Sequence, residues 1–354
     1  MNTTTSPSGK ISAQTFKDLV FNSCGHHRDE VLMGPQFGVD TAIIDIGNAN
    51  VLAVSSDPLT LIPSLGLKES AWLSVHLLAN DMATTGFAPQ FAQFVLNLPV
   101  TFSEKDFQQY WQYIHLFCKE LGIAITGGHT GRVPGQESTI CGGGTMFLMA
   151  SKDKVLSSNG AKPGDIIVVT KESAMSATSI LAKSFPETVR NNLGETVYKE
   201  AESNFYRTSS LKEALLAAAF LQPHHSLKAM HDVTEGGILG TACEMASASG
   251  CGILINNEKI PVGSAQQEIA AFFEIDHRTS IGAGAMLMAI APEAVAALLS
   301  HLKKHNIKGT EIGAFTQEES GFMIEEYGVL KPIYYDGIDP YWEAFYKAFK
   351  EGLK

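Results

Sequence analysis

Acidic and carboxamide residues recur in this chain in Gly/Thr-rich settings at the ends of apolar runs. That recurrence limits the possible folds more than any other feature. The stations are Gly38-Val39-Asp40-Thr41-Ala42, Ser56-Asp57-Pro58, Asn80-Asp81, Gly127-Gly128-His129-Thr130 and His231-Asp232-Val233-Thr234-Glu235-Gly236-Gly237. Asp40 precedes a strand-like run, Asp57 follows one, and Asp81 lies on a helical pattern. Three carboxylates this far apart in sequence can act together only if the fold gathers those ends. Gathered without a cation they would repel one another and raise each other's pKa. A divalent metal removes that penalty, and Mg²⁺ prefers oxygen donors, commonly one or two carboxylates plus substrate phosphates. Taken singly, Asp57 reads better as part of a turn, Asp40 as a strand cap and Asp81 as an exposed helix position; only the set argues for a site.

The runs between the stations alternate in type. Thr41–Ile46 and Val51–Ser55 are β-rich and joined by Gly47-Asn48-Ala49-Asn50, a hairpin-like connection. Residues 70–85 repeat apolar side chains at Ala71, Val75, Leu78 and Met82, a helical period. Phe91–Leu98 reads as a strand. Ser103–Leu121 is the clearest helix, with Phe107, Tyr110, Trp111, Ile114, Phe117 and Cys118 on one face, Ser103 as N-cap and Gly122 beyond its end. A short strand, Ile123–Thr126, then runs into Gly127-Gly128, and Thr139–Ala150 is a strand interrupted by Gly142-Gly143-Gly144. Near the start, Thr15–Cys24 reads as a helix with Phe16, Leu19 and Val20 inward. This interleaving predicts an α+β or α/β chain.

A polar stretch at 152–164 with a Pro-Gly turn marks a domain boundary. After it come a strand from Asp165 to Thr170, helices near 175–185, 209–221 and 236–249, a strand at 252–256, a helix at 264–273, a strand at 285–290, a helix at 292–305 and a strand at 310–314. The organisation expected is a loose tail over 1–14, an N-terminal domain over 15–152, a C-terminal domain over 163–325 and an extension over 326–354.

At 354 residues and 45% hydrophobic composition, the chain can bury two cores, and 18% charged residues are too few for a disordered protein. The formal charge of −11 disfavours nucleic acid and anionic membranes as partners. A small molecule or another protein is the expected partner. The five cysteines include no C-x-x-C pair, which argues against a structural zinc site and a disulfide framework. Reduced thiols in a cytoplasmic protein are expected, and neither a secretory leader nor a membrane-spanning run is visible.

Two glycines at Gly127-Gly128 would let the backbone approach a ligand and cradle an anion, although Gly-Gly after a strand is often only a turn. In the segment from His231 to Gly237, Asp232 or Thr234 can cap the following helix; that helix start can equally hold an anion. The paired histidines His26-His27 and His224-His225 have no partner ligands at useful spacing and read as surface or turn residues.

Taken together these motifs resemble the AIR synthase-related (PurM-like) superfamily, which includes the hydrogenase maturation factor HypE, thiamine monophosphate kinase and selenophosphate synthetase. Gly38-Val39-Asp40-Thr41-Ala42 is similar to the Gly-x-Asp-Ala-Ala turn of HypE and the kinases, and Ser55-Ser56-Asp57 to their Thr-Asp strand end. The run from Asn80 to Pro89 is similar to their Asn-Asp-Leu-Ala-x-x-Gly-Ala-x-Pro helix, and Asp232 to Gly237 to the Asp-Pro-Thr-Arg-Gly-Gly segment of HypE. The resemblance implies a two-domain fold. Its N-terminal domains would pair as a homodimer to form a β-barrel, with ATP and Mg²⁺ at the interface, and an α/β C-terminal domain would close over the site. It implies metal binding by Asp40, Asp57 and Asp81. Nucleotide contacts would come from Gly38, Asp40, Thr41, Asp57, Asn80, Gly127, Gly128, Thr130, Gly236 and Gly237, and Asp81, Asp232 and His129 would act in catalysis. The implied chemistry is ATP-dependent phosphorylation, or dehydration through phosphorylation, of a small or protein-borne substrate, with hydrogenase maturation as the named instance. A thiamine-phosphate-type kinase and a non-catalytic nucleotide binder are the alternatives. Two departures stand out. His129 occupies a position that is acidic in HypE, and an imidazole is a poor Mg²⁺ ligand. The C-terminal residues also lack the cysteine on which HypE carries its carbamoyl group.

Overall fold

The computed structural model describes residues 9–21, 23–59, 61–135, 141–335 and 337–354. Two sheets organise these residues, one on each side of the irregular stretch 152–165. The first has six strands: β1 (Val31–Met33), β2 (Ala42–Gly47), β3 (Asn50–Pro58), β4 (Phe91–Pro99), β5 (Ala124–Val133) and β6 (Cys141–Ser151), in the order β1-β2-β3-β6-β4-β5. All its pairs are antiparallel except β4 with β5. The second has seven: β7 (Ile166–Thr170), β8 (Leu227–Asp232), β9 (Gly252–Asn256), β10 (Met286–Ile290), β11 (Gly309–Thr316), β12 (Phe322–Glu326) and β13 (Val329–Pro332), ordered β13-β12-β9-β11-β7-β10-β8.

Eleven α-helices pack around them. α1 (Ala13–Phe16) is a single turn, and α2 (Leu67–Ala83) and α3 (Glu104–Glu120) belong to the first domain. The second domain carries α4 (Met175–Ser184), α5 (Pro186–Leu193), α6 (Glu195–Phe205), α7 (Leu211–Phe220), α8 (Gly237–Ser249), α9 (Ser264–Phe272), α10 (Val295–Lys304) and α11 (Pro340–Lys350). This is a two-domain α+β architecture. No helix among the described residues is long and apolar enough to cross a membrane.

Local chemistry accounts for the long helices of the first domain. Ser103 caps α3 by accepting from the Asp106 N–H, and its buried face, Tyr110, Ile114, Phe117 and Cys118, lies on the first sheet. α2 covers the same side, and the Ser74 and Tyr110 hydroxyls meet at 2.8 Å between the two helices. The opposite side of the sheet is bare, leaving Ile46, Val95 and Met149 exposed. The sheet is open within one chain and no closed barrel is found.

Other expectations need revision. The helix expected over Thr15–Cys24 is α1 followed by a π-turn at Lys17–Phe21, and Leu19 and Val20 are exposed among the described residues instead of facing inward. From Gly9 onward the expected tail is seated on the second domain. β5 continues through Gly127 to Thr130 instead of turning at the glycines, because parallel pairing with β4 supplies each of Gly127–Thr130 with a ladder partner, the register shifting once at Thr126. Asp57 lies inside β3, not after it. Strands β8, β12 and β13 and helices α5, α6 and α11 were not anticipated. The start of the strand expected at Thr139 falls outside the described residues.

Candidate functional site

The strand β3 alternates, so Ser55 and Asp57 share a face, the one turned toward α2. Asp81 sits on α2, and its Oδ2 accepts a 2.8 Å hydrogen bond from Ser55 Oγ. Asp40 lies just before β2, where Ser158, from the segment between the domains, donates to its Oδ2 at 2.9 Å. From the second domain β8 ends in His231 and Asp232. His231 Nδ1 is 3.3 Å from Asp40 Oδ2, and its Nε2 is 3.4 Å from Glu244 Oε2 on α8. Asp40, His231 and Asp232 present ligand atoms all within 4.8 Å of one another. Thus Asp40, Asp57 and Asp81 of the first domain and Asp232 and Glu244 of the second enclose one acid chamber.

Burial and mutual repulsion set the electrostatics of these groups. Burial raises Asp57 to about 6. Burial, then the charge of Asp40, raises Asp232 to about 8. Burial raises Asp81 well above the usual carboxylate range, reinforced by Asp232, Asp57 and Asp40. Asp40 is raised mainly by burial, against the pull of His231. For His231 burial works downward, but Asp40 and Glu244 outweigh it and hold the imidazolium up at about 9. Glu244 is lowered despite its burial, by Lys10 and His231.

Both carboxylate oxygens of Asp232, and the Thr41 hydroxyl, are buried without a hydrogen-bond partner. An unpaired buried carboxylate is costly. Oxygen donors crowded around such a group fit a hard divalent cation; the ligand atoms gathered within 4.8 Å are those of Asp40, His231 and Asp232, with Asp57 and Asp81 near enough to add their charge.

Other expected contacts are placed differently. Asn80 is fully buried with its amide already used: Nδ2 donates to Thr208 O at 3.0 Å and Oδ1 accepts from Ser210 N at 2.8 Å. It clamps the loop before α7 and is not free to hold a ligand. Gly38, at φ +76°, passes so close to α8 that a Cβ would stand 2.5 Å from Glu244 O. At the start of α8, Gly236 N–H donates to Asp339 Oδ2 at 2.9 Å, and a Cβ on Gly236 would strike the Tyr335 ring. The anion seat expected at Gly236-Gly237 is therefore filled by the protein's own carboxylate, which burial raises to about 6.

Gly127, Gly128, His129 and Thr130 do not reach the chamber. Asp57 pairs with Gly144, Gly144 with Phe94 and Phe94 with Gly128. At about 4.8 Å per step, Gly128 lies roughly 14 Å from Asp57 across the sheet. Gly128 is needed because a Cβ would fall 1.9 Å from Phe94 O, a requirement of strand packing. His129 and Thr130 are exposed on this edge strand.

The sequence reading passed over His231, Glu244, Ser55, Ser158 and Lys10. For Glu244 a signal existed: it is the single charge in the otherwise apolar and small-residue run of α8. For Lys10 there was none; its approach depends wholly on the tertiary fold.

The chain is similar to several known proteins. The chain is 25% identical over 266 residues to the carbamoyl dehydratase HypE of Rhizobium leguminosarum bv. viciae, covering 72% of this chain and 71% of that protein. It is 30% identical over 236 residues to a selenide, water dikinase of Methanococcus maripaludis, covering 63% and 67%. A solved structure of AaThiL complexed with AMPPCP and TMP superposes with a TM-score of 0.71 at 16% identity, over 94% of this chain and 98% of that one. Residues 38–147 match the sequence model of the AIR synthase related protein N-terminal domain, and residues 162–325 match that of the C-terminal domain. With both domains present in order, and the acid chamber formed between them, this protein belongs to the AIR synthase-related (PurM-like) family.

Proposed function

We propose that this chain binds ATP with Mg²⁺ in the acid chamber and transfers the terminal phosphoryl group to an oxygen of a small or protein-borne acceptor, in the manner of HypE. One observation carries this reading. Carboxylates from both domains converge where both side-chain oxygens of Asp232 are buried without a hydrogen-bond partner. Such an arrangement is expensive unless a cation and an anionic ligand complete it. The Mg²⁺ would supply neutralisation of the phosphate charge.

The residues of this chain divide the remaining work. Asp40 and Asp57 hold the cation from the first domain and Asp232 from the second, so binding also fixes the two domains together. Ser158 and Ser55 orient Asp40 and Asp81 through their hydrogen bonds. Asp81, its Oδ2 oriented by Ser55, is the carboxylate that would take the proton of the attacking acceptor. The acceptor oxygen bonds to the terminal phosphorus, ADP departs, and the acceptor's proton passes to the carboxylate. If the acceptor is a carboxamide, the C–O bond to the phosphorylated oxygen then breaks, the remaining N–H proton goes to the departing phosphate and a nitrile is left, which completes a dehydration. The likeness to a kinase bound to AMPPCP and TMP supports a second reading, phosphorylation of a small phosphorylated alcohol.

We also propose a homodimer that covers the bare side of the first sheet. Pairing there would bury Val95 and Met149, and it offers a route by which His129 and Thr130 of one chain approach the chamber of another. Light scattering at micromolar protein tests the assembly; a monomer would rule out both the pairing and any shared site. For the activity, calorimetry with AMPPCP in the presence and absence of Mg²⁺ comes first, and a screen of acceptors coupled to ADP release follows. Absence of Mg²⁺-dependent nucleotide binding would refute the proposal.

A further inference from the structure

The chain's N-terminal segment enters the acid chamber. The backbone N–H of Lys10 donates to Glu235 Oε2 at 2.7 Å; its ammonium donates to Thr234 Oγ1 at 3.0 Å and lies 3.4 Å from Glu244 Oε2. Gly9 fits tightly beside it. At φ +113°, a Cβ there would stand 2.8 Å from Glu235 Oε2 and 3.2 Å from the Trp342 indole. Ser12 then caps the turn of α1. The contact is therefore a fixed seat, although part of the Lys10 side chain, 39%, remains in solvent.

The ammonium acts on the same groups that would hold a divalent cation. Its charge is felt by Asp40, Asp57, Asp232 and Glu244. Asp232 meanwhile keeps two buried oxygens with no hydrogen-bond partner. A divalent ion on Asp40 and Asp232 would lie within reach of this ammonium's charge, which those carboxylates already feel, and like charges repel. The two cations are then alternative occupants of one chamber.

We propose that Lys10 is a built-in counter-ion that competes with the divalent cation, so that cation entry releases the strap formed by Gly9–Ser12. The inference rests on the cation-and-nucleotide reading given above and adds what that reading lacks, a means of keeping the chamber neutral before loading and of opening it on loading.

Mn²⁺ alone serves as the probe on the full chain, with free ion measured by electron paramagnetic resonance for the wild type, Lys10→Met and Lys10→Arg. Removing the competing charge should tighten Mn²⁺ binding about tenfold in Lys10→Met, whereas Lys10→Arg should stay near the wild type. In parallel, trypsin with mass spectrometry follows cleavage after Lys10, which requires the side chain to leave its seat. Mn²⁺ should accelerate that cleavage in the wild type. Equal or weaker Mn²⁺ binding by Lys10→Met, or protection of Lys10 by Mn²⁺, would overturn the counter-ion role; protection would mean that the lysine stays to meet the ligand. If neither wild type nor variant bound Mn²⁺, the cation reading of the chamber would fall and the inference with it. Equal binding by both chains would remove the inference alone.

Discussion

Ser55 Oγ and Asp81 Oδ2 meet at 2.8 Å, a strand residue donating to a helix carboxylate 26 positions further along the chain. The bond fixes where Asp81 points and stops α2 from turning its acid to solvent. It also brings Asp81 beside Asp57, which occupies the same face of β3 two residues on. Repulsion among these groups is thereby built into the fold, and the predictions below follow from it.

Asp57→Asn and Asp81→Asn should each weaken Mg²⁺–AMPPCP binding by about 1.5–3 kcal/mol, the scale of a lost charged contact. Asn at 81 can still accept from Ser55, and neither change removes apolar burial, so thermal stability should hold or rise slightly. Calorimetric titration of both variants decides it; unchanged affinity in both would take these residues out of the site.

In metal-free protein, stability should fall as pH rises from about 5 to about 9. Asp57 at about 6 and Asp232 at about 8 lie above their ordinary 3.8, and His231 at about 9 lies above its ordinary 6.5. All three hold protons more tightly folded than unfolded, so the native state binds more protons across this window and loses stability as they leave. The His231 contribution is complete below its unfolded value of 6.5 and gone once pH passes about 9. Melting curves in EDTA at several pH values should show this slope, and saturating Mg²⁺ should flatten it. A melting temperature that climbs from pH 6 to 9 in EDTA would contradict the charge arrangement.

Gly38→Ala should destabilise the protein by roughly 2–4 kcal/mol. It combines a left-handed backbone at φ +76° with a Cβ placed 2.5 Å from Glu244 O, so α8 must shift. Because Glu244 moves with α8, nucleotide affinity should drop even in the folded fraction. Denaturant unfolding beside calorimetry at low temperature separates the two effects, and a stable variant of normal affinity would show that the approach is slack.

Asn80→Ala should cost about 2–4 kcal/mol, since it strands Thr208 O and Ser210 N in a buried place. Hydrogen exchange should quicken around residues 208–210 more than in the first sheet. If exchange there stayed slow, the clamp between α2 and the second domain would be dispensable.

The sequence alone determined the class of fold and pointed to Asp40, Asp57, Asp81 and Asp232 as candidates for a site. The helical period through Ala71, Val75, Leu78 and Met82, the cap at Ser103 and the β-rich runs around Asp57 are local patterns, and local patterns survive without knowledge of partners. Motif resemblance supplied the family, and Asp40, Asp57, Asp81 and Asp232 do come together. What the tertiary structure decided are relations between distant segments. Pairing with β4 turned Gly127–Thr130 into an edge strand far from Asp57, since a ladder partner outweighs the turn preference of two glycines. Packing used up the Asn80 amide and put Asp339 on the Gly236 N–H, where the family resemblance implied ligand contacts. Lys10 reached the acids because long-range electrostatics and the fit of Gly9 against Trp342 act through space, and no spacing in the sequence encodes them.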